Sequence, residues 1–223
     1  RTTNYAITGT ASPQAKGLYS PKAPYRLDLG KFLYEQAPDE LKIPSYKLEH
    51  RAKLTDLVQG DNTTFPGHTL ISKMLLECLF TFRSPGFQKI PTVVIDKKDS
   101  QHPYFFFMQF PQFDLVDYSR SIFSRITDMV NGQYSYEDFQ ATSFEDVRAK
   151  KGVGAKAIFM KENFDFDFFI LPAFPFLWMV NEKIADALRE AKITGICLIP
   201  FHQGENFVDD NIISKAQRIE GTL

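Results

Sequence analysis

The sequence predicts an α+β fold with mixed or antiparallel sheets, and three observations carry that prediction. Two stretches, at about 70–95 and 180–200, each read as a capped amphipathic helix running through a turn into an apolar strand. Between them lie aromatic-rich stretches with the composition of strands. The first 44 residues are dominated by turn formers and read as an irregular arm, which leaves 45–223 as one domain that reads as two related halves.

Pro13, Gly17, Pro21, Pro24, Gly30, Pro38 and Pro44 punctuate the arm, so only short pieces fit between them. Candidates are an extended run at Tyr25–Leu29 and a short helix near Lys31–Gln36. The arm is expected to wrap over the main body. From Tyr46 the chain begins as a strand, with Thr55 or Asp56 placed to cap one helical turn, and Asp61, Asn62 and Gly67 mark a loop. In the first helix-to-strand unit, Ser72 is the expected cap, and Leu75, Leu79 and Phe82 share a face. Ser84-Pro85-Gly86 then turns the chain into the buried strand Ile90–Ile95.

Tyr104–Phe110 is a strand by its aromatic content, followed by an Asp-rich segment with Asp114, Asp117, Ser119 and Ser121. Asn131-Gly132 is a tight-hairpin signal. Ser143 with Asp146 reads as a helix cap with an acidic first turn. Ala157–Met160 and Phe166–Leu171 read as strands. The alternation from Phe164 to Phe168 would place Asp165 and Asp167 together on a solvated face.

The second unit has the strongest signals. Asn181 caps a helix whose apolar face is Ile184, Ala187, Leu188 and Ala191, with Glu182 in the first turn and Arg189 and Lys192 near the end, as the helix dipole favours. Gly195 can take the left-handed conformation that closes a helix, and Ile196–Ile199 has the length and branching of a strand buried on both faces, ended by Pro200. It parallels the first unit, Asn181 matching Ser72 and Ile184, Leu188 and Ala191 matching Leu75, Leu79 and Phe82. After Phe201 the chain turns polar, with a last helix expected over Asp210–Ile219.

NEKIADALREAKITGICLIPF, a capped helix entering an apolar strand through a Thr-Gly turn, resembles the C-terminal signature of bacterial immunity proteins of polymorphic toxin systems, of family eleven, with family forty-three as an alternative. The resemblance runs over roughly Tyr46–Phe201. It implies a small intracellular protein, neither enzyme nor cofactor carrier, that binds and neutralises a cognate toxin encoded nearby.

Composition narrows the alternatives. A net charge of −1 gives no case for a nucleic-acid partner or an anionic membrane surface. Two cysteines, Cys78 and Cys197, both in apolar segments, make no disulfide framework in a chain of 223 residues and favour a reducing, cytoplasmic setting. No apolar run reaches membrane-spanning length, and no signal-peptide pattern is visible, although residues upstream of Arg1 could have been removed. The 22 phenylalanines read first as core.

Chemistry-bearing patterns are sparse. His50, His68, His102 and His202 share no ligand spacing, so no metal site is expected from them. Gly152-x-Gly154 lacks the rest of a dinucleotide motif. Asp165-x-Asp167 is the one pattern on which a metal-dependent hydrolase or transferase could be built, though two alternating aspartates also suit a solvated strand. A regulatory protein-binding module is a third reading. For a toxin-binding surface, the acidic-aromatic candidates are Tyr134, Tyr136, Glu137, Asp138, Glu145 and Asp146, together with Asp165 and Asp167. Ser72, Asn181, Leu188 and Gly195 are expected to be structural.

Overall fold

The computed structural model describes residues 4–8, 14–18, 36–38, 41–61, 68–130, 133–150, 153–162, 164–171, 177–204 and 217–218. In chain order the strands and helices are β1 (Asn4–Thr8), β2 (Ala15–Gly17), β3 (Tyr46–Leu48), β4 (Leu57–Val58), β5 (His68–Ser72), α1 (Lys73–Phe80), β6 (Phe87–Ile95) and β7 (Gln101–Gln109). There follow β8 (Ile122–Val130), β9 (Gln133–Phe139), α2 (Phe144–Arg148), β10 (Val153–Ala157), β11 (Phe168–Leu171), β12 (Leu177–Asn181), α3 (Glu182–Glu190), β13 (Cys197–Phe201) and β14 (Gln217–Arg218). The class is α+β, dominated by strands in mixed and antiparallel sheets.

Each of the three α-helices among the described residues begins where a short polar side chain accepts the hydrogen bond of an N3 amide. Ser72 Oγ accepts from Leu75 N, Ser143 Oγ from Asp146 N and Asn181 Oδ1 from Ile184 N. In α3 the face of Ile184, Ala185 and Leu188 is buried, and sealing Ile184 and Leu188 from water contributes roughly 1.5–3 kcal/mol each. That exceeds the ~1 kcal/mol of the cap, so packing holds the helix and the cap sets its first residue. The close of α3 is made by Lys192. It stands at φ 52°, its N–H donates to Arg189 O, and Ile193 N donates back to Leu188 O, the two bonds that satisfy a helix's last carbonyls. Gly195 is also left-handed, at φ 83°, but one turn further on. There a Cβ would lie 2.5 Å from Leu57 O and 2.6 Å from Thr55 Oγ1, so the position needs glycine for close approach as well as for φ.

The sheets stack around these helices. A six-stranded sheet has the order β2-β3-β6-β7-β5-β4, a five-stranded sheet β11-β12-β1-β13-β14, and a three-stranded sheet β10-β8-β9. One core joins α1 and α3 to a face of each larger sheet, through Leu75, Leu79, Ile184, Leu188, Phe107 and Trp178. A second lies between the other face of the five-stranded sheet and the three-stranded one, and contains Met179, Ile199, Phe123 and Val147. The third covers the remaining face of the six-stranded sheet, around Tyr46, Leu70, Phe106 and Met108. The five-stranded sheet is therefore covered on both sides, which is why β11 and β13 read as unbroken apolar runs.

Besides the close of α3, expected at Gly195 and made by Lys192, four expectations are corrected. The N-terminal arm is not merely wrapped over the body, because Asn4–Thr8 is a central strand, antiparallel to both β12 and β13, with Ala6 and Ile7 buried in different cores. The runs at 25–29 and 31–35 lie outside the described residues. No helical turn follows Thr55. Asp56 instead spends its side chain on Ser72 and Thr194, and the chain enters β4 directly. Residues 164–167 are not strand, so the Phe/Asp alternation does not sort onto two sheet faces before β11 begins at Phe168. Of the helix expected over 210–219, only Gln217 and Arg218 are described, and they pair with Leu198 and Cys197 as strand.

Candidate interaction surface

The first acidic-aromatic stretch lies on consecutive elements of one lobe, β9 and α2, against the hairpin partner β8. Val130 pairs with Gln133, as a hairpin at Asn131-Gly132 requires, and the ladder runs back to Phe123 opposite Phe139. Phe123 and Phe139 turn inward, their rings 5.8 Å apart, and anchor the sheet to its core. Neighbouring residues then point outward. Asp138 accepts from Ser124 Oγ at 2.5 Å and from Lys156 Nζ on β10, a tie across all three strands. These donors hold the Asp138 carboxyl below the usual carboxylate range, Lys156 first and Ser124 second. Glu137 is paired with Arg125, whose Nε lies 2.8 Å from its Oε2.

Next along the outward row, Tyr136 stands opposite Ile126. Tyr136 is 57% exposed and Ile126 41%. The register slips between Ile126 and Asp128, a bulge that bends β8 just beyond this pair. Among the described residues no strand pairs with the outer edge of β9.

On α2, Glu145 is exposed, and Asp146 is an exposed part of the helix cap. Its Oδ2 accepts from Thr142 N at 3.1 Å and from Thr142 Oγ1 at 2.9 Å, which lowers its pKa. Lys150, just past the helix, sits 5.0 Å over the Phe139 ring and ties this end of the lobe to β9. Burial raises the Tyr118 phenol, and the nearby Glu145 and Asp114 charges raise it further. For Tyr134 the backbone is placed in β9, while its side chain lies outside the described residues.

Asp165 and Asp167 do not belong to this surface. Asp167 is largely covered, with 14% side-chain exposure, and both oxygens are engaged. Oδ1 accepts from Asn181 Nδ2 at 2.6 Å, and Oδ2 accepts from Arg83 N and Nε, each at 3.1 Å. Asp165 is exposed and pairs with the same guanidinium. Arg83 therefore occupies the space between the two carboxylates in which a shared cation would sit. Its bonds hold the Asp167 carboxyl below the usual range, and Asp167 raises Arg83 in return.

The histidines are dispersed. His102 Nε2 is 3.0 Å from Asp96 Oδ2, His68 is buried and stacked on Phe106, and His50 and His202 are exposed. Among the described residues no three His, Cys, Asp or Glu side chains gather to hold a metal, and no helix is long and apolar enough to cross a membrane.

Tyr136, Glu137, Asp138, Glu145 and Asp146, candidates by sequence, lie on this lobe, and Ile126, Arg125 and Lys156, which are not among those candidates, stand beside Tyr136, Glu137 and Asp138 respectively. The Asn131-Gly132 turn signals the hairpin, but counting back from it sets Thr127 opposite Tyr136, and the bulge between Ile126 and Asp128 is what brings Ile126 there instead. Compared with known proteins, the chain matches no family model and no curated protein.

Proposed function

We propose that this is a non-catalytic, cytoplasmic immunity protein that binds a toxin encoded beside it and neutralises it by covering its active site, with the outward face of β8 and β9 as the contact. The observation that carries this reading is the exposed cross-strand pair Ile126 and Tyr136, flanked on the same face by Asp138 and its partner Lys156, with the Glu137–Arg125 pair exposed on the reverse of the hairpin. An aliphatic and an aromatic side chain held in register on a rigid hairpin can anchor a partner, and a charged rim excludes water around them. The likeness of NEKIADALREAKITGICLIPF to the immunity-protein signature supports the toxin as that partner. Toxins that are nucleases present basic clefts, to which Glu137, Asp138, Glu145 and Asp146 are complementary. The existing ion pairs do not prevent this, because exposed pairs are weak and exchange readily for pairs across an interface.

The test is calorimetric titration of the full chain with the protein encoded by the neighbouring reading frame. Tyr136→Ala and Ile126→Ala should each weaken binding about tenfold or more, as truncated hot-spot residues do, and both sites are exposed enough for the fold to survive. Lys47→Ala, on β3 of the six-stranded sheet, should leave affinity unchanged. Absence of binding by the unmodified protein, or equal affinity for all variants, would contradict the proposal.

A further inference from the structure

A constant offset of 109 residues carries the first helix-to-strand unit onto the second: Ser72 onto Asn181, Leu75 onto Ile184, Leu79 onto Leu188, Ile90 onto Ile199 and Pro91 onto Pro200. The pairing of strands agrees as well, β5 mapping onto β12 at the same offset while β4 maps onto β11 at 111, two residues more. In the first unit, Leu57 and Val58 of β4 face Ile71 and Leu70 of β5. In the second, Phe168 and Phe169 of β11 face Val180 and Met179 of β12.

The middle strand also agrees, residue for residue, although it comes from the opposite end of the chain. β7 sets Phe105 between Ile71 and Pro91, and Phe106 between Leu70 and Ile90. β1 sets Tyr5 between Val180 and Pro200, and Ala6 between Met179 and Ile199. Among the described residues each proline falls outside the pairing with the next strand outward, β3 reaching Val94 and Ile95, and β14 Cys197 and Leu198. A residue without an N–H is tolerated there.

The two units exchange contacts at one carboxylate each. Asp56 immediately precedes β4, as Asp167 precedes β11. Asp56 O accepts from Ser72 N at 2.7 Å, and Asp167 O from Asn181 N at 3.0 Å. Asp56 Oδ1 accepts from the Ser72 hydroxyl and Asp167 Oδ1 from the Asn181 amide, both at 2.6 Å. Each carboxylate then reaches the other unit. Asp56 Oδ2 accepts from Thr194 N at 2.8 Å and Thr194 Oγ1 at 2.7 Å, in the loop leaving α3. Asp167 Oδ2 accepts from Arg83 N and Nε, in the loop leaving α1. The return bonds match as well, Leu57 N donating to Thr194 O and Phe168 N to Arg83 O.

We infer that the fold is two copies of one β-β-α-β unit, each completed by a middle strand, β7 in the first and β1 in the second. Asp56 and Asp167 are equivalent clasps, each tying its own unit's helix cap to the loop leaving the other unit's helix. The exchange is reciprocal, as in an interface between two identical copies. Its consequence is coupling: loosening one clasp loosens a helix start in one unit and a loop in the other. The inference is independent of the proposed partner.

Amide hydrogen exchange on the full chain tests it. Asp56→Asn should speed exchange about tenfold or more at Leu75 in the first unit and at Thr194 in the second. Asp167→Asn should do the same at Ile184 and Arg83. Thr194→Val and Arg83→Met approach the clasps from the far side and keep the carboxylates in place, so they serve if an aspartate variant fails to fold. They should speed exchange at Leu75 and Ile184 respectively, each in the unit that was not altered. Changes confined to the substituted unit would overturn the inference.

Discussion

Asp167 illustrates how one residue's neighbours decide its chemistry. The alternation around it suggested a solvated carboxylate, whereas Arg83, 84 positions earlier, supplies its main partners. Because the folded state holds this carboxyl below its ordinary value of about 3.9, the bonds contribute stability that is present above that pH and lost as pH falls through the lowered value. Asp167→Asn should therefore destabilise the protein near pH 7, and the deficit should close once the pH has fallen through that lowered value. Denaturant melts at the two pH values check this, and a deficit that persists in acid would contradict it. Lys192 makes a second prediction. A left-handed conformation costs a residue with a Cβ about 1–2 kcal/mol, and glycine gives back about 0.4–1 kcal/mol through the freedom it adds to the unfolded chain. Lys192→Gly should then stabilise by about 0.5 kcal/mol, measured by the same melts.

At the level of elements, what was legible in the sequence is what is local. Ser72, Ser143 and Asn181 each act within three residues of their own position, and each is legible as a cap from its immediate neighbours. The match between Asn181 and Ser72, with Ile184 and Leu188 against Leu75 and Leu79, was legible for the same reason. β1 was not, because its partners Trp178 and Leu198 lie far along the chain, and NYAIT alone has no strong period. The geometry of the β8–β9 hairpin is only partly legible. Tyr136, Glu137 and Asp138 announce themselves by type, but the register that sets Ile126 against Tyr136 is made by tertiary packing and a bulge. Ile7 tests the central placement of β1. It is 1% exposed, so Ile7→Ala should cost about 2–5 kcal/mol, while an arm lying on the surface would lose almost nothing.

Across the whole molecule, the division of labour follows the layers. Two related units build the helices and the two larger sheets, clasped at Asp56 and Asp167, and the three-stranded sheet with α2 is added outside on the far face of the five-stranded sheet. That added lobe carries the exposed Ile126 and Tyr136 on a hairpin fixed at its base by Phe123 and Phe139. A rigid platform presenting a few anchors suits binding by surface complementarity, since little ordering is left to be done on association. The claim that this face covers a partner is tested most directly by hydrogen exchange of the full chain, alone and saturated with the protein encoded beside it. Amides from Arg125 to Asp138 should become protected on binding, with the turn between β6 and β7 unchanged. Unaltered exchange along β8 and β9, with protection elsewhere, would contradict the account.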